Sequence, residues 1–328
     1  MMFRTIGLVG LMGLTAACAD NADEPVAHDA EGLAAEPAGA PYPVVLVHGM
    51  AGFSELEVGP VQITYWKGIV EDLARHGEAV YVTVAPPFAT SEVRAEAVRA
   101  QIDRILARTG KRKVNLIGHS QGGLDARVLA SPNGLGYGDR IASVTTVSTP
   151  HRGSKVADAV LGLTGSIPEP VLASVTDALL SVLQVTAYEL HEDPDLLAQT
   201  RQLSETYMRE VFNPRYVDDP RVKYASYAGR SNLRSGAFAC ADAAVPNEPW
   251  RLDLPQPGFA ALATFLEQGL LEVNDGLVTV ESAKWGTFVQ CVPADHLEEV
   301  GHFPAAALTF DHVGFFRDIV ARLRRERL

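Results

Sequence analysis

The sequence predicts an α/β fold, one mostly parallel sheet with helices on both faces. Three observations predict it. Short apolar runs rich in β-branched residues alternate with stretches of helical spacing, several of those stretches close on a glycine, and 47% of the 328 residues are hydrophobic, enough for one large core.

The first residues, "MMFRTIGLVGLMGLTAACAD", carry one positive charge and an apolar run from Ile6 to Ala17. That run is too short to span a bilayer, so residues 1–18 read as an export signal and the mature protein is expected without a transmembrane segment. The small residues of "LTAAC" resemble a bacterial lipoprotein signal, in which Cys18 is lipidated and becomes the first mature residue. Thr15 is less usual at its position in that motif, so cleavage after Ala17 or Ala19 is the alternative. The protein is therefore expected to be secreted, or anchored in the outer membrane through Cys18. Residues 19–41, rich in Ala, Pro, Glu and Asp without apolar period, read as a disordered linker.

From residue 42 the pattern becomes that of a catalytic domain running to residue 328. "YPVVLVHG" is a continuous apolar run, as in a parallel strand covered on both faces. Trp66, Ile69, Val70 and Leu73 then recur at helical spacing, with Gly77 placed as a C-terminal cap. The alternation continues through strand "AVYVTVAP", a helix from Ser91 to Thr109 closed by Gly110, strand "KVNLI", helix "QGGLDARVLA" and strand "RIASVTTVST". Such spacing implies right-handed crossovers, and ligands then bind beyond the carboxyl ends of the strands.

A segment without strand character, about residues 156–220, interrupts the order. Within it Val171, Val175, Leu179, Val182 and Leu183 share one helical face, which reads either as a helix packed on the core or as an apolar cover.

The formal charge is −12, from 28 basic and 40 acidic residues, and it repels phosphate backbones and anionic lipid surfaces. Nucleic-acid binding is therefore not expected; "RLRRER" near the C-terminus reads as the dipole-matched end of a last helix. Beyond the export signal only Cys240 and Cys291 remain, with no metal-binding spacing. In an exported chain they most simply pair, closing a loop worth roughly 3 to 4 kcal/mol, with two buried free thiols as the alternative.

Chemistry concentrates in "KVNLIGHSQGGLDAR". Gly118-His119-Ser120-Gln121-Gly122 fits G-x-S-x-G between a strand and a helix, a context that makes Ser120 a nucleophile on a tight, strained turn. Attack by that hydroxyl creates an oxyanion, which two preplaced donors stabilise by about 3 kcal/mol each. The N–H of Gln121 offers one, and the N–H of Met50 in "HGMAGF" can face the same point from the end of the first strand. The base and its orienter should follow in the order acid, histidine. Asp275, in an Asn-Asp-Gly turn after an expected strand, can be held by backbone N–H groups; His296, His302 and His312 are the downstream histidines, His302 suiting a loop and His312 the start of the final helix.

At this point the sequence resembles the bacterial family I true lipases of Pseudomonas and Burkholderia type, members of the α/β-hydrolase superfamily. The matching segments are "YPVVLVHGMAGF", "YWKGI", "VNLIGHSQGGLDAR", "ASVTTVSTPHRGSKVAD", "YASYAG", "NDGLV" and "DHLEEV", in the family's order from Tyr42 to about Val300. The resemblance implies Ser120, Asp275 and His296 as catalytic triad and Met50 and Gln121 as oxyanion donors. It implies triacylglycerol hydrolysis at a lipid interface, with the insertion as a lid. It implies a structural calcium held by Asp253, Glu298 and the carbonyls of His302 and Ala306, and it raises dependence on a lipase-specific foldase. Two departures stand out: Glu298 replaces an aspartate, and Cys240 and Cys291 are displaced from the family's cysteine positions. Rival expectations are a short-chain esterase or polyhydroxyalkanoate depolymerase with the same triad, and an inactive surface binding protein of the same fold.

Overall fold

The structure is a computed structural model, and it describes residues 39–52, 55–58, 61–163, 194–230, 262–263, 265–266, 272–302 and 310–328. The export signal with Cys18, nearly all of the linker, the Val171 to Leu183 segment, Cys240, Asp253 and Ala306 lie outside the described residues.

Six strands form one parallel sheet: β1 (Val44–Val47), β4 (Val80–Thr83), β5 (Val114–His119), β6 (Ile141–Val147), β7 (Lys223–Gly229) and β8 (Thr287–Val292), in the order β4-β1-β5-β6-β7-β8. The continuous apolar runs become strands buried along their whole length, β1, β5 and β6. Side chains of β1 alternate between two cores. Val45 and Val47 pack with Val98 and Ile102 of α2 (Ser91–Thr109) and with Leu124 and Leu129 of α3 (Gln121–Ala130). Val44 and Leu46 pack on the other face with Ile69 and Leu73 of α1 (Ile69–Arg75) and with Phe316 and Ile319 of the last helix, His312–Arg325. Each such fully buried side chain contributes about 1.5–3 kcal/mol. The period of two is thus what places helices on both faces.

Helix boundaries follow the expected chemistry. Gly110 takes φ 66° after α2 and returns its N–H to the Leu106 carbonyl. Gly77, at φ 79°, follows α1 in the same left-handed region. The final helix is capped by Asp311, which accepts from Gly314 N–H, and carries Arg322, Arg324 and Arg325 in its last turn. His312 is its first residue.

Three features depart from expectation or add to it. An antiparallel hairpin, β2 (Glu55–Val58) and β3 (Val61–Thr64), fills the stretch between β1 and α1. β8 extends the sheet beyond β7 as an edge strand. Around Asp275 the described residues make an isolated antiparallel bridge, Asn274 to Thr279, as the Asn-Asp-Gly turn folds back on itself; the residues just before Glu272, where a preceding strand is expected, lie outside the described residues. The insertion contains α4 (Lys155–Val160) and α5 (Pro194–Gln202), and its described residues hold no strand before β7. No described helix is long and apolar enough to cross a membrane.

Candidate active site

The ends of β1 and β5 lie side by side, with Val47 opposite Gly118. Ser120 then turns the chain into α3 with φ 54° and ψ −131°, a left-handed conformation rare for a side-chain-bearing residue and costing about 1–3 kcal/mol. The turn is held by Ser120 N–H to Val147 O at 2.9 Å and by Thr149 Oγ1 to Ser120 O at 2.7 Å. Glycine is needed around it for space: a Cβ on Gly118 would meet Gly123 N at 2.5 Å, and one on Gly122 would meet Val47 O at 2.2 Å. The result is a serine above the sheet at the mouth of a helix whose first N–H groups, Gln121's among them, have no intrahelical acceptor.

The loop after β1 reaches the same place. Ala51 N–H donates to Pro87 O and Gly52 N–H to Gly49 O, so Met50 sits in a tight turn. His48 is buried beneath it. Ala85 N–H donates to His48 Nε2 at 3.0 Å, which leaves the ring proton on Nδ1 to donate to Gly49 O at 2.9 Å. Burial, and then the Arg94 charge, push His48 down to about 3, so it is neutral. Arg94 itself is fully buried and clamps the loop: Nη2 reaches His48 O at 2.6 Å and Gly49 O at 3.2 Å, Nη1 reaches Pro86 O at 2.6 Å, and Nε pairs with Asp125 Oδ2 at 2.8 Å.

Asp275 and His296 meet directly. His296 Nδ1 lies 2.7 Å from Asp275 Oδ2, with the carboxylate fully buried and the imidazole nearly so. Asp275 Oδ1 accepts from Leu277 N–H at 2.9 Å and Val278 N–H at 2.7 Å, the backbone cradle the Asn-Asp-Gly turn predicts. A carboxylate there fixes the ring proton on Nδ1 and leaves Nε2 with a lone pair. Of the three downstream histidines, the structure therefore pairs His296 with the acid; His302 lies against Tyr65, and His312 Nε2 meets Lys67 O. His296 packs beside the elbow, its ring centroid 4.7 Å from that of His119, the residue before Ser120. Among the described residues no hydrogen bond joins Ser120 Oγ to the His296 ring; such contacts are commonly long until substrate is bound.

Comparison with known proteins identifies the family. A family model for the alpha/beta hydrolase fold matches residues 42–251. The chain belongs to the α/β-hydrolase family. It is 39% identical over 296 residues to a triacylglycerol lipase of Vibrio cholerae, covering 88% of this chain and 89% of that protein. It is 39% identical over 201 residues to a triacylglycerol lipase of Burkholderia plantarii, 60% of this chain and 52% of that protein, so the match spans about half that relative's length. Among solved structures, a Staphylococcus hyicus lipase superposes with TM-score 0.59 at 17% identity over 89% of this chain and 98% of its own. A Bacillus licheniformis lipase superposes with TM-score 0.57 at 19% identity over 83% of this chain and 91% of its own. These structural likenesses concern the fold.

Within this α/β-hydrolase the loop after β8 gathers buried carboxylates. Glu298 Oε2 accepts from Asp295 N–H at 3.1 Å, and Asp295 Oδ1 accepts from Leu297 and Glu298 N–H. Glu299 is fully buried, accepts from Ser148 Oγ at 2.5 Å and is held well above the usual carboxylate range, first by burial and then by the charges of Asp275, Asp295 and Glu298. An oxygen-rich, anionic cluster of this kind fits a hard dication. His119, His296 and Glu299 also bring ligand atoms within 4.8 Å of one another. Several polar atoms of the three already have partners: His119 Nε2 meets His296 O at 2.9 Å, His296 Nδ1 meets Asp275, and Glu299 Oε1 meets Ser148.

Sequence reasoning passed over Arg94, Tyr65, His119 and Glu299. Glu299 stood inside the "DHLEEV" match, Tyr65 inside "YWKGI" and His119 inside the elbow motif, so a signal existed for all three. Cys291 is buried in β8 and engaged, while its expected partner Cys240 is outside the described residues.

Proposed function

We propose that this protein hydrolyses carboxylic esters of lipids, triacylglycerols foremost, through an acyl-serine intermediate. The observation that carries the reading is the buried Asp275–His296 pair packed beside Ser120 on its strained turn. His296 Nε2 takes the proton of Ser120 Oγ as that oxygen attacks the ester carbonyl, and Asp275 stabilises the imidazolium that forms. The N–H groups of Gln121 and Met50 receive the oxyanion. Collapse expels the alcohol, which receives the proton from His296; water then enters, gives its proton to His296 and releases the acid, returning the hydrogen to Ser120.

Supporting the lipid substrate is the 39% identity to the Vibrio cholerae triacylglycerol lipase over 88% of this chain. The insertion serves as the lid. Its α5 end is tied to the proposed oxyanion residue, since Gln199 Nε2 donates to Gln121 Oε1 at 2.6 Å and Gln202 accepts from Ser91 N–H at 2.7 Å. Glu298 and Asp253, with the carbonyls of His302 and Ala306, would hold a structural calcium, whose charge would offset that of the carboxylates behind His296. Cys240 and Cys291 pair as a disulfide. The protein is exported, secreted or anchored through Cys18, and a lipase-specific foldase assists its folding.

The decisive experiment is fluorophosphonate labelling followed by turnover of p-nitrophenyl esters and triolein. Labelling should map to Ser120, and Ser120→Ala should reduce turnover about 10^4 to 10^6-fold. More than a few per cent residual activity rejects the assignment. Activity confined to butyrate and shorter acyl chains, or to polyhydroxyalkanoate, replaces lipase by esterase or depolymerase.

A further inference from the structure

Behind the candidate site runs a hydrogen-bond chain whose members come from three distant parts of the sequence. Gly49 N–H lies 3.0 Å from Tyr65 Oη, Tyr65 Oη lies 2.6 Å from His119 Nδ1, and His119 Nε2 lies 2.9 Å from the His296 carbonyl. Every proton in it can be assigned. The His296 carbonyl can only accept, so His119 Nε2 carries the ring hydrogen. His119 Nδ1 is then a lone pair and must accept, so the Tyr65 hydroxyl donates to it and its oxygen takes the Gly49 N–H. Each of these three links has its own hydrogen and its own acceptor, and none requires a charged member.

The surroundings enforce this state. Tyr65 and His119 are buried. Burial, then the charge of His296, holds His119 well below the ordinary histidine range, and burial raises Tyr65. Glu299 Oε2, 3.4 Å from His119 Nε2, faces the same hydrogen from the side. The tyrosine ring is fixed by edge contact with Trp66 at 5.1 Å and with His302 at 5.1 Å. No side chain fits at Gly49, because a Cβ there would meet Ser120 Cβ at 2.7 Å and Tyr65 Oη at 2.9 Å, so the backbone packs directly against the chain.

We propose that Tyr65 and His119 are positioning residues, a neutral relay that sets the loop carrying Met50 against the backbone carrying the base His296. The chain ends on Gly49, one residue before the proposed oxyanion donor, and on the carbonyl of the proposed base itself. It therefore joins the group that receives negative charge to the group that takes the proton. His119 occupies the variable position of the elbow motif, and the relay gives that position a task. This inference rests on the ester hydrolase reading of the same site.

The test uses the full-length protein and the Tyr65→Phe variant, which keeps the ring and removes only the hydroxyl. The wild type is first labelled with fluorophosphonate; absence of label defeats the hydrolase reading itself, independently of the relay. With labelling established, Tyr65→Phe should lower kcat for a soluble ester about tenfold to a hundredfold with KM within about twofold, since a misplaced donor is felt in the transition state. The acid limb of the kcat/KM profile should stay in place, because the relay is neutral and the Asp275 contact is untouched. A trifluoromethyl ketone, which forms a bound oxyanion, should weaken by the same factor as kcat/KM. A kcat within twofold of wild type, or a KM that rises as much as kcat falls, overturns the proposal. Nitrogen NMR of the wild type decides independently of whether the variant folds: a hydrogen on His119 Nε2 supports the relay, and one on Nδ1 overturns it.

Discussion

Replacing Arg94 by methionine tests how the loop that carries Met50 is held. The guanidinium is fully buried and donates to one carboxylate and three carbonyls, so a thioether of similar length fills the volume and satisfies none of them. Removing one partner of a buried ion pair costs about 3–5 kcal/mol, because the remaining charge is stranded. Asp125 has an escape. Burial already pushes its carboxyl up to about 6 with the arginine present, and without that positive charge it rises further. At pH 8 the variant must either bury a bare carboxylate or protonate it against the solution, and relative to the wild type about 1.4 kcal/mol is added for each pH unit from about 6 up to the variant's higher folded pKa.

The sign follows from linkage: a carboxyl raised in the folded state destabilises progressively as pH increases. Urea unfolding should therefore give a loss of about 4–5 kcal/mol at pH 8 that shrinks toward about 2 at pH 5, where the three stranded carbonyls remain. The double variant Arg94→Met/Asp125→Asn removes the charge as well and should regain about 2 kcal/mol at pH 8 and little at pH 5. A single-variant loss below about 1 kcal/mol, an equal loss at both pH values, or a double variant no more stable than the single would refute the argument.

Two further outcomes are expected. His48, His119, His151 and His302 are all held below the ordinary histidine range by burial, His48 to about 3 and His302 to about 4, so acid is taken up by the unfolded chain first. Their stabilising contribution is complete above about pH 6.5 and is lost as pH falls toward 4, at about 1.4 kcal/mol per group per pH unit, partly offset by Asp125 and Glu299, which are raised. Urea midpoints that stay level between pH 7 and pH 5 would contradict this. For calcium, chelation should lower the melting temperature of the wild type by several degrees and leave Glu298→Gln nearly unchanged, and equal shifts in both proteins would remove Glu298 from the proposed site.

Much of the scaffold was legible because it is governed by local physics. Valine and isoleucine runs bounded by glycine declare buried parallel strands, and both Gly77 and Gly110 stand where a helix must release its chain through positive φ. The acid was legible for a similar reason: the Asn-Asp-Gly turn that carries Asp275 builds its own cradle from Leu277 and Val278 two and three residues away. The β2–β3 hairpin and β8 escaped notice because their sequences, "ELEVGPVQIT" and "TFVQCV", interleave polar residues and belong to a separate ribbon and a sheet edge rather than to the doubly covered centre.

Residues whose task is directional escaped for a deeper reason. Arg94 binds carbonyls 45 and 46 positions away, Tyr65 meets His119 across 54, and His119 meets His296 across 177. In the sequence His119 is the free position of a motif, Tyr65 an aromatic residue beside a helix, and Arg94 one cation among several in a helix. A hydrogen bond specifies an angle and a partner, and neither has a period along the chain. Hydrophobic burial, which is non-directional and additive, leaves a pattern that can be read before folding; the polar chain from Gly49 to His296 exists only after β1, β5 and the loop beyond β8 have been brought together by that burial. The order of cause then runs one way. Apolar packing sets the strand ends within a few ångströms, and the neutral relay and the Arg94 clamp remove the remaining freedom where catalysis is least tolerant of it.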